Sequence, residues 1–135
     1  MNKRLLLLIP LVAFALAGCS KSGNDPAPSL TGTWTWAQGT RVTAPKNGQA
    51  STVVAQPRAT SAVYTFDGRV GFRLVTGGNT QENGRYTHEG GALNLVTTFE
   101  QTPYTVSELG AHRLVWALAW EDADNRYTLT ETLTR

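Results

Sequence analysis

Residues 113–120 read RLVWALAW, and this stretch decides the fold class of the chain. Leu114, Trp116, Leu118 and Trp120 recur at every second position, with smaller side chains between them. Successive side chains of a β-strand point to opposite faces, so a period of two places these large side chains on one face. A helix would scatter them around its axis. The stretch therefore predicts a β-strand with one strongly apolar face.

The same alternation recurs along the chain after residue 30, where no helical periodicity is sustained. Tyr64 and Phe66 share one face, as do Tyr127, Leu129 and Leu133. Threonine and aromatic residues, which favour strands, are frequent between the turns. The eight predicted strands cover residues 33–38, 60–67, 69–76, 81–88, 92–99, 103–108, 112–120 and 126–134.

Turn-forming sequences separate these strands. Asp67-Gly68 fits a two-residue hairpin because glycine tolerates positive φ, and Gly77-Gly78-Asn79 and Gly90-Gly91 are similar. Eight strands joined by hairpins can close so that no edge remains unpaired. We therefore expect residues 30–135 to form an all-β domain, an eight-stranded antiparallel up-and-down barrel. An open β-sandwich of the same strands is the alternative.

One connection is longer than a hairpin. Residues 39–59 form a polar link between the first two predicted strands. Unstructured stretches of this length are uncommon inside compact domains. We expect the link to fold over one barrel mouth, with a short element at Thr52–Ala55.

The N-terminus has the order of an export signal. Lys3 and Arg4 precede an apolar run, residues 5–17, which ends in small residues before Cys19. The ending Leu16-Ala17-Gly18-Cys19 resembles the lipobox of bacterial lipoproteins. This resemblance implies that residues 1–18 are a cleaved signal peptide. It also implies that Cys19 is lipidated, with acyl chains such as palmitate.

The residues after Cys19 predict a tether and a location. Residues 19–29 are polar and contain two prolines, which is typical of a flexible spacer. We expect a chain in the bacterial cell envelope that partners the membrane through its lipidated Cys19. Residue 20, directly after Cys19, is Ser and not Asp, and by the same resemblance this favours the outer membrane. Whether the domain faces the periplasm or the cell surface is left open.

Charge and cysteine content exclude two classes of protein. Without Lys3 and Arg4, ten basic residues balance ten acidic ones, so a nucleic-acid partner is not expected. A single cysteine allows no intramolecular disulfide, so packing alone must hold the exported domain.

Four short segments, in order, resemble bacterial lipocalin-like domains. They are Gly32-Thr33-Trp34, Tyr64-Thr65-Phe66-Asp67-Gly68, Gly84-Arg85-Tyr86 and Gly91-Ala92-Leu93-Asn94-Leu95. The resemblance implies that Trp34 plugs the closed end of the barrel and that an arginine of the last strand stacks on it. Arg126 and Arg135 are the candidates for that role. The disulfides of many lipocalins are missing here.

The inward faces of the predicted strands supply the candidate ligand contacts. An eight-stranded barrel is either just filled by its own side chains or holds one small ligand, and both possibilities remain open. The candidate ligand-binding residues are Trp34, Trp36, Phe72, Leu95, Trp116 and Leu118.

The sequence carries no pattern typical of catalysis or metal binding. His88 and His112 lack the spacing of a metal site, and we expect each to be solvent-facing or hydrogen-bonded. Asp122, Asp124 and Asn125 begin like a calcium loop but lack its glycine and glutamate, so they predict an acidic turn. We expect no enzyme, no cofactor and no metal.

Two functions fit these observations. The first is a membrane-anchored, lipocalin-like binding module for a small hydrophobic molecule. The alternative is a filled barrel that serves as a structural or protein-interaction lipoprotein of the cell envelope.

Overall fold

The computed structural model of the protein describes residues 27–56 and 61–135. The predicted signal peptide (1–18), the lipidation site Cys19 and most of the predicted tether lie outside these residues. So does Thr60, the first residue of the second predicted strand.

The described residues form nine β-strands and no helix. The strands are β1 (Gly32–Pro45), β2 (Thr52–Ala55), β3 (Val63–Phe66), β4 (Gly71–Thr76), β5 (Asn79–Glu89), β6 (Ala92–Val96), β7 (Gln101–Leu109), β8 (Arg113–Glu121) and β9 (Asn125–Thr134).

The sheet closes on itself. Neighbouring strands from β3 to β9 pair antiparallel in chain order, β1 pairs β3, and β1 also pairs β9. Eight strands therefore form a closed antiparallel up-and-down barrel, which confirms the predicted fold class over the open sandwich. β2 is an addition that pairs with the second half of β1.

β1 is longer than the sequence pattern indicates. Residues 39–45, predicted as part of a polar link, continue the strand and pair with β9 along its length. Thr40, Val42 and Thr43 are β-branched and suit an extended backbone, and β9 offers them a partner. The predicted link is therefore wrong for residues 39–45. The predicted short element at Thr52–Ala55 is confirmed as β2.

A β-bulge lies inside β1, between Trp36 and Gln38. The bulge adds one residue to β1, so the alternation of faces is reset beyond it. Trp36 pairs with Leu133, and Gly39 pairs with Glu131. Leu133 and Glu131 are both buried in the barrel. Gly39 and Arg41 therefore face inward, although an unbroken alternation from Trp36 would turn both outward.

The turn between β3 and β4 is wider than the predicted two-residue hairpin. Oδ1 of Asp67 accepts hydrogen bonds from the backbone N–H groups of Arg69 (2.8 Å) and Gly71 (2.9 Å). These bonds stabilise a loop over residues 67–70. Val70, expected on a strand, lies in this loop and is exposed.

The core is aromatic. The ring of Trp116 meets Tyr64 edge to face at 4.9 Å and lies 4.8 Å from the ring of Tyr104. Phe66 meets Tyr86 edge to face at 5.0 Å. Each such ring buries about 150–250 Å² and gains from edge-to-face geometry, so these contacts provide much of the packing that a disulfide-free domain needs.

Candidate functional site

The two ends of the barrel differ. One end carries the start of β1 and the turns β3–β4, β5–β6 and β7–β8, and we call it the closed end. The other carries the turns β4–β5, β6–β7 and β8–β9, and we call it the open end. Antiparallel strands in chain order alternate in direction, so this division follows from the topology.

Arg135 seals the closed end. Its guanidinium lies 4.2 Å from the centre of the Trp34 ring, and it donates to the backbone oxygens of Thr31 (2.7 Å) and Ala111 (2.6 Å). Nε1 of Trp34 donates to the oxygen of Leu30 at 2.7 Å. Of the two candidate arginines, Arg135 is therefore the one that stacks on Trp34.

Burial falls from the closed end towards the open end. Trp34, Leu114 and Leu133 are all 0% exposed. Leu118 and Leu129 face inward in the next layers and are only half-buried. Trp120, the last inward-facing residue of β8, is 42% exposed. The inner face of the barrel is therefore fully buried at the closed end and half-buried towards the open end.

The six predicted ligand-binding residues are divided between the half of the barrel at the closed end and the half at the open end. Trp34, Phe72, Leu95 and Trp116 are buried in the aromatic core. Trp36 and Leu118 are half-buried and border the open half. The structure brings all six to the inner side of the barrel, as predicted, but it leaves only Trp36 and Leu118 open to solvent.

The interior also contains charged residues that the sequence analysis did not select. Glu131 is buried, and one of its carboxylate oxygens accepts a hydrogen bond from Nε1 of Trp116 at 2.9 Å. Arg41, brought inside by the bulge in β1, pairs with Leu129 two residues nearer the open end. In β9 the alternation Tyr127, Leu129, Glu131, Leu133 places Glu131 on the apolar face, so the sequence pattern could have identified Glu131 as an interior residue. No sequence pattern places Arg41 inside the barrel.

A polar network supports the rim at the β8–β9 turn. The hydroxyl of Tyr127 donates to Asp122 at 2.7 Å, and the N–H groups of Asp124 and Asn125 donate to the other carboxylate oxygen at 2.9 and 2.8 Å. These bonds lower the pKa of Asp122, and the hydrogen bond from the Tyr127 hydroxyl has the largest effect. The same hydrogen bond raises the pKa of Tyr127. The predicted acidic turn is thus confirmed.

Aromatic stacking and a lysine fix this rim further. The rings of Trp120 and Tyr127 are stacked at 5.2 Å with an interplanar angle of 14°. Lys46 donates its backbone N–H to the oxygen of Asp124 (2.8 Å) and its Nζ to the oxygen of Asp122 (2.6 Å). The residues after β1 are therefore bound to the β8–β9 turn.

A second concavity lies outside the closed end. A groove of about 610 Å³ is bordered by residues 27–31, Val70 and His88. His88 pairs with the buried Leu93, and its Nε2 is buried without a hydrogen-bond partner among the described residues. His88 is half-buried, on the face of β5 that also carries the buried Tyr86. His112 is exposed, as expected.

Comparisons of the chain with protein-family models, curated proteins and solved structures find no match. Within residues 27–56 and 61–135, no helix is long and apolar enough to cross a membrane. The same residues hold no group of three or more His, Cys, Asp or Glu side chains placed to bind a metal.

Proposed function

We propose that this chain is a lipid-anchored protein of the bacterial cell envelope whose lipocalin-like barrel binds a small hydrophobic molecule without catalysing a reaction. The observation that carries the binding role is the difference in burial between the two ends of the barrel interior. Trp34 and Arg135 seal one end, while Leu118 and Leu129 stay half-buried at the other. If the interior served only to stabilise the fold, complete burial of these leucines would give the greatest stability.

The lipid anchor is supported by the sequence. Lys3 and Arg4, the apolar run and Leu16-Ala17-Gly18-Cys19 follow the order of a lipoprotein signal. A Cys19→Ser variant should be recovered in the soluble fraction or remain unprocessed. Membrane retention equal to that of the natural protein would contradict the anchor.

Binding is tested by native mass spectrometry of the domain produced in its own host and released from its lipid. We expect a non-covalent adduct in the mass range of small lipids or metabolites, which is lost on collisional activation. A spectrum containing only the ligand-free mass would overturn the binding role and favour the alternative.

The alternative, a protein-interaction role, also has an observation in its favour. All four side chains of β2 are exposed, among them Val53, and Phe99 at the β6–β7 turn is 96% exposed. Phe99 is the most exposed large apolar side chain among the described residues, so it is the candidate centre of a contact surface at this rim.

Photo-crosslinking in cells distinguishes the alternative. A benzoylphenylalanine in place of Phe99 would capture a protein partner if this rim is a contact surface. The same probe in place of Thr87, an exposed residue of β5, is the matched control. Equal capture from both positions, or none from either, would count against the alternative.

A further inference from the structure

Besides Nε2 of His88, two buried side-chain nitrogens in the barrel have no hydrogen-bond partner among the described residues, and both are donors. They are Nε1 of Trp36 and Nε of Arg41. Buried donors are nearly always paired in folded proteins, and an unpaired one is unfavourable. Two orphaned donors on one strand therefore call for an acceptor that the described part of the chain does not supply.

Both donors belong to the same small region of the inner wall. Trp36, Gly39 and Arg41 lie on the inward face of β1, on either side of its bulge. A side-chain carbon added to Gly39 would lie 3.6 Å from Nε1 of Trp36 and 3.3 Å from another atom of the indole ring. The indole therefore lies across Gly39, two residues before Arg41 on the same strand.

The spacing suits a single head group. Gly39 and Arg41 are two residues apart, which corresponds to about 7 Å along a strand. Gly39 has no side chain, so the indole of Trp36 can lie close to the backbone at this position. One group with two acceptor oxygens could reach both.

The chemistry of the donors selects the ligand class. A guanidinium is always charged and binds carboxylates by charge-assisted hydrogen bonds, and an indole N–H only donates. Towards the open end the neighbouring inward side chains are Leu118 and Leu129, which are apolar and half-buried. An anionic oxygen head with an apolar tail matches both surfaces.

We propose that the open half of the barrel binds an amphipathic monocarboxylate. Its carboxylate accepts hydrogen bonds from Nε1 of Trp36 and Nε of Arg41, and its hydrocarbon tail lies against Leu118 and Leu129. This inference rests on the proposed binding function and specifies the ligand class for it.

Glu131 does not compete for these donors. It pairs with Gly39 across the β1–β9 ladder, and one of its carboxylate oxygens accepts a hydrogen bond from Nε1 of Trp116 at 2.9 Å. Nε1 of Trp36 and Nε of Arg41 have no hydrogen-bond partner among the described residues, so neither donates to Glu131.

The test compares decanoate with decan-1-ol, which has the same chain without the charge. Residues 20–135, which contain the whole barrel, are titrated with each probe by isothermal calorimetry. The natural sequence is compared with Arg41→Met, Trp36→Phe and the control Arg126→Met. Arg126 lies on β9 with a side chain that is 74% exposed, and it forms an ion pair with Glu121.

We expect the natural sequence to bind decanoate at least about tenfold more tightly than decan-1-ol, which is about 1.4 kcal/mol. Arg41→Met and Trp36→Phe should each remove most of this preference, and Arg126→Met should retain it. Unchanged binding of decan-1-ol shows that a variant is folded.

Two results overturn the inference in different ways. If decanoate and decan-1-ol bind equally, or if Arg41→Met keeps the preference, the carboxylate site is wrong but the binding function stands. If neither probe binds the natural sequence, the inference fails together with the proposed function of the open half.

Discussion

At the scale of single residues, Arg135 does more than any other polar side chain to close the barrel. Its guanidinium covers the Trp34 ring and donates to the backbone on both sides of the closed end, at Thr31 and Ala111. It thereby joins the residues before β1 to the β7–β8 turn. A planar, charged group with several donors is required for this combination, and lysine could not reproduce it.

Replacing Arg135 with methionine should lower the free energy of unfolding by about 1–3 kcal/mol, because one cation–π contact and two charge-assisted hydrogen bonds are lost. Urea denaturation followed by tryptophan fluorescence measures this change. Arg126→Met, on the same strand, should change stability by about 0.5 kcal/mol or less, since its ion pair with Glu121 is exposed. Equal effects of the two variants would contradict the role assigned to Arg135.

Gly84 is the second residue whose identity the fold depends on. A side-chain carbon there would overlap the backbone oxygen of Val96 and lie 3.1 Å from the ring of Phe72. Because a backbone oxygen cannot rotate away, Gly84→Ala should destabilise the barrel by about 1–3 kcal/mol through overpacking. In Gly110→Ala the nearest atom is 3.5 Å away, so this control should be tolerated. A Gly84→Ala midpoint in urea as high as that of the control would contradict the close approach.

At the scale of elements, the strands were predictable and their irregularities were not. Every predicted strand corresponds to an observed one, because the alternation of large apolar and polar residues is strong around Tyr64, Leu95 and Trp116. The bulge at Trp36–Gln38 has no sequence mark, since Ala37 and Gln38 fit either face. This one extra residue moves Arg41 inside, and so the residue that completes the candidate site could not be found from the alternation.

The turns provide a pH-dependent contribution to stability. Hydrogen bonds lower the pKa of Asp122 from its ordinary value of 3.8, first from Tyr127 and then from backbone N–H groups. A carboxylate with a lowered pKa stabilises the fold above the unfolded value, and this contribution is lost as the pH falls through the folded value. Stability should therefore decrease below about pH 4.

The variant Asp122→Asn isolates this contribution. It should be less stable than the natural sequence at pH 7, and the difference should shrink as the pH falls from 4 towards 2. Urea midpoints measured across this range give the comparison. A difference between the two proteins that stays constant with pH would show that the Asp122 charge is not involved.

At the scale of the whole molecule, the barrel combines a rigid, filled half with an accessible one. The closed half is held by the aromatic core and by Arg135, so it contributes stability without a disulfide. The open half contains Trp36, Arg41 and Leu118, which are half-buried. The sequence predicted the aromatic interior but could not divide it into these halves, because the division depends on closure and on the bulge in β1.

The indole N–H groups report this division most directly. The N–H of Trp36 has no acceptor among residues 27–56 and 61–135, whereas the N–H groups of Trp34 and Trp116 already donate to Leu30 and Glu131. In a ¹⁵N–¹H correlation spectrum, saturating decanoate should shift the Trp36 indole resonance downfield and leave that of Trp34 in place. A spectrum in which Trp36 does not move, or in which Trp34 moves as far, would contradict the account of a sealed end and an open binding half.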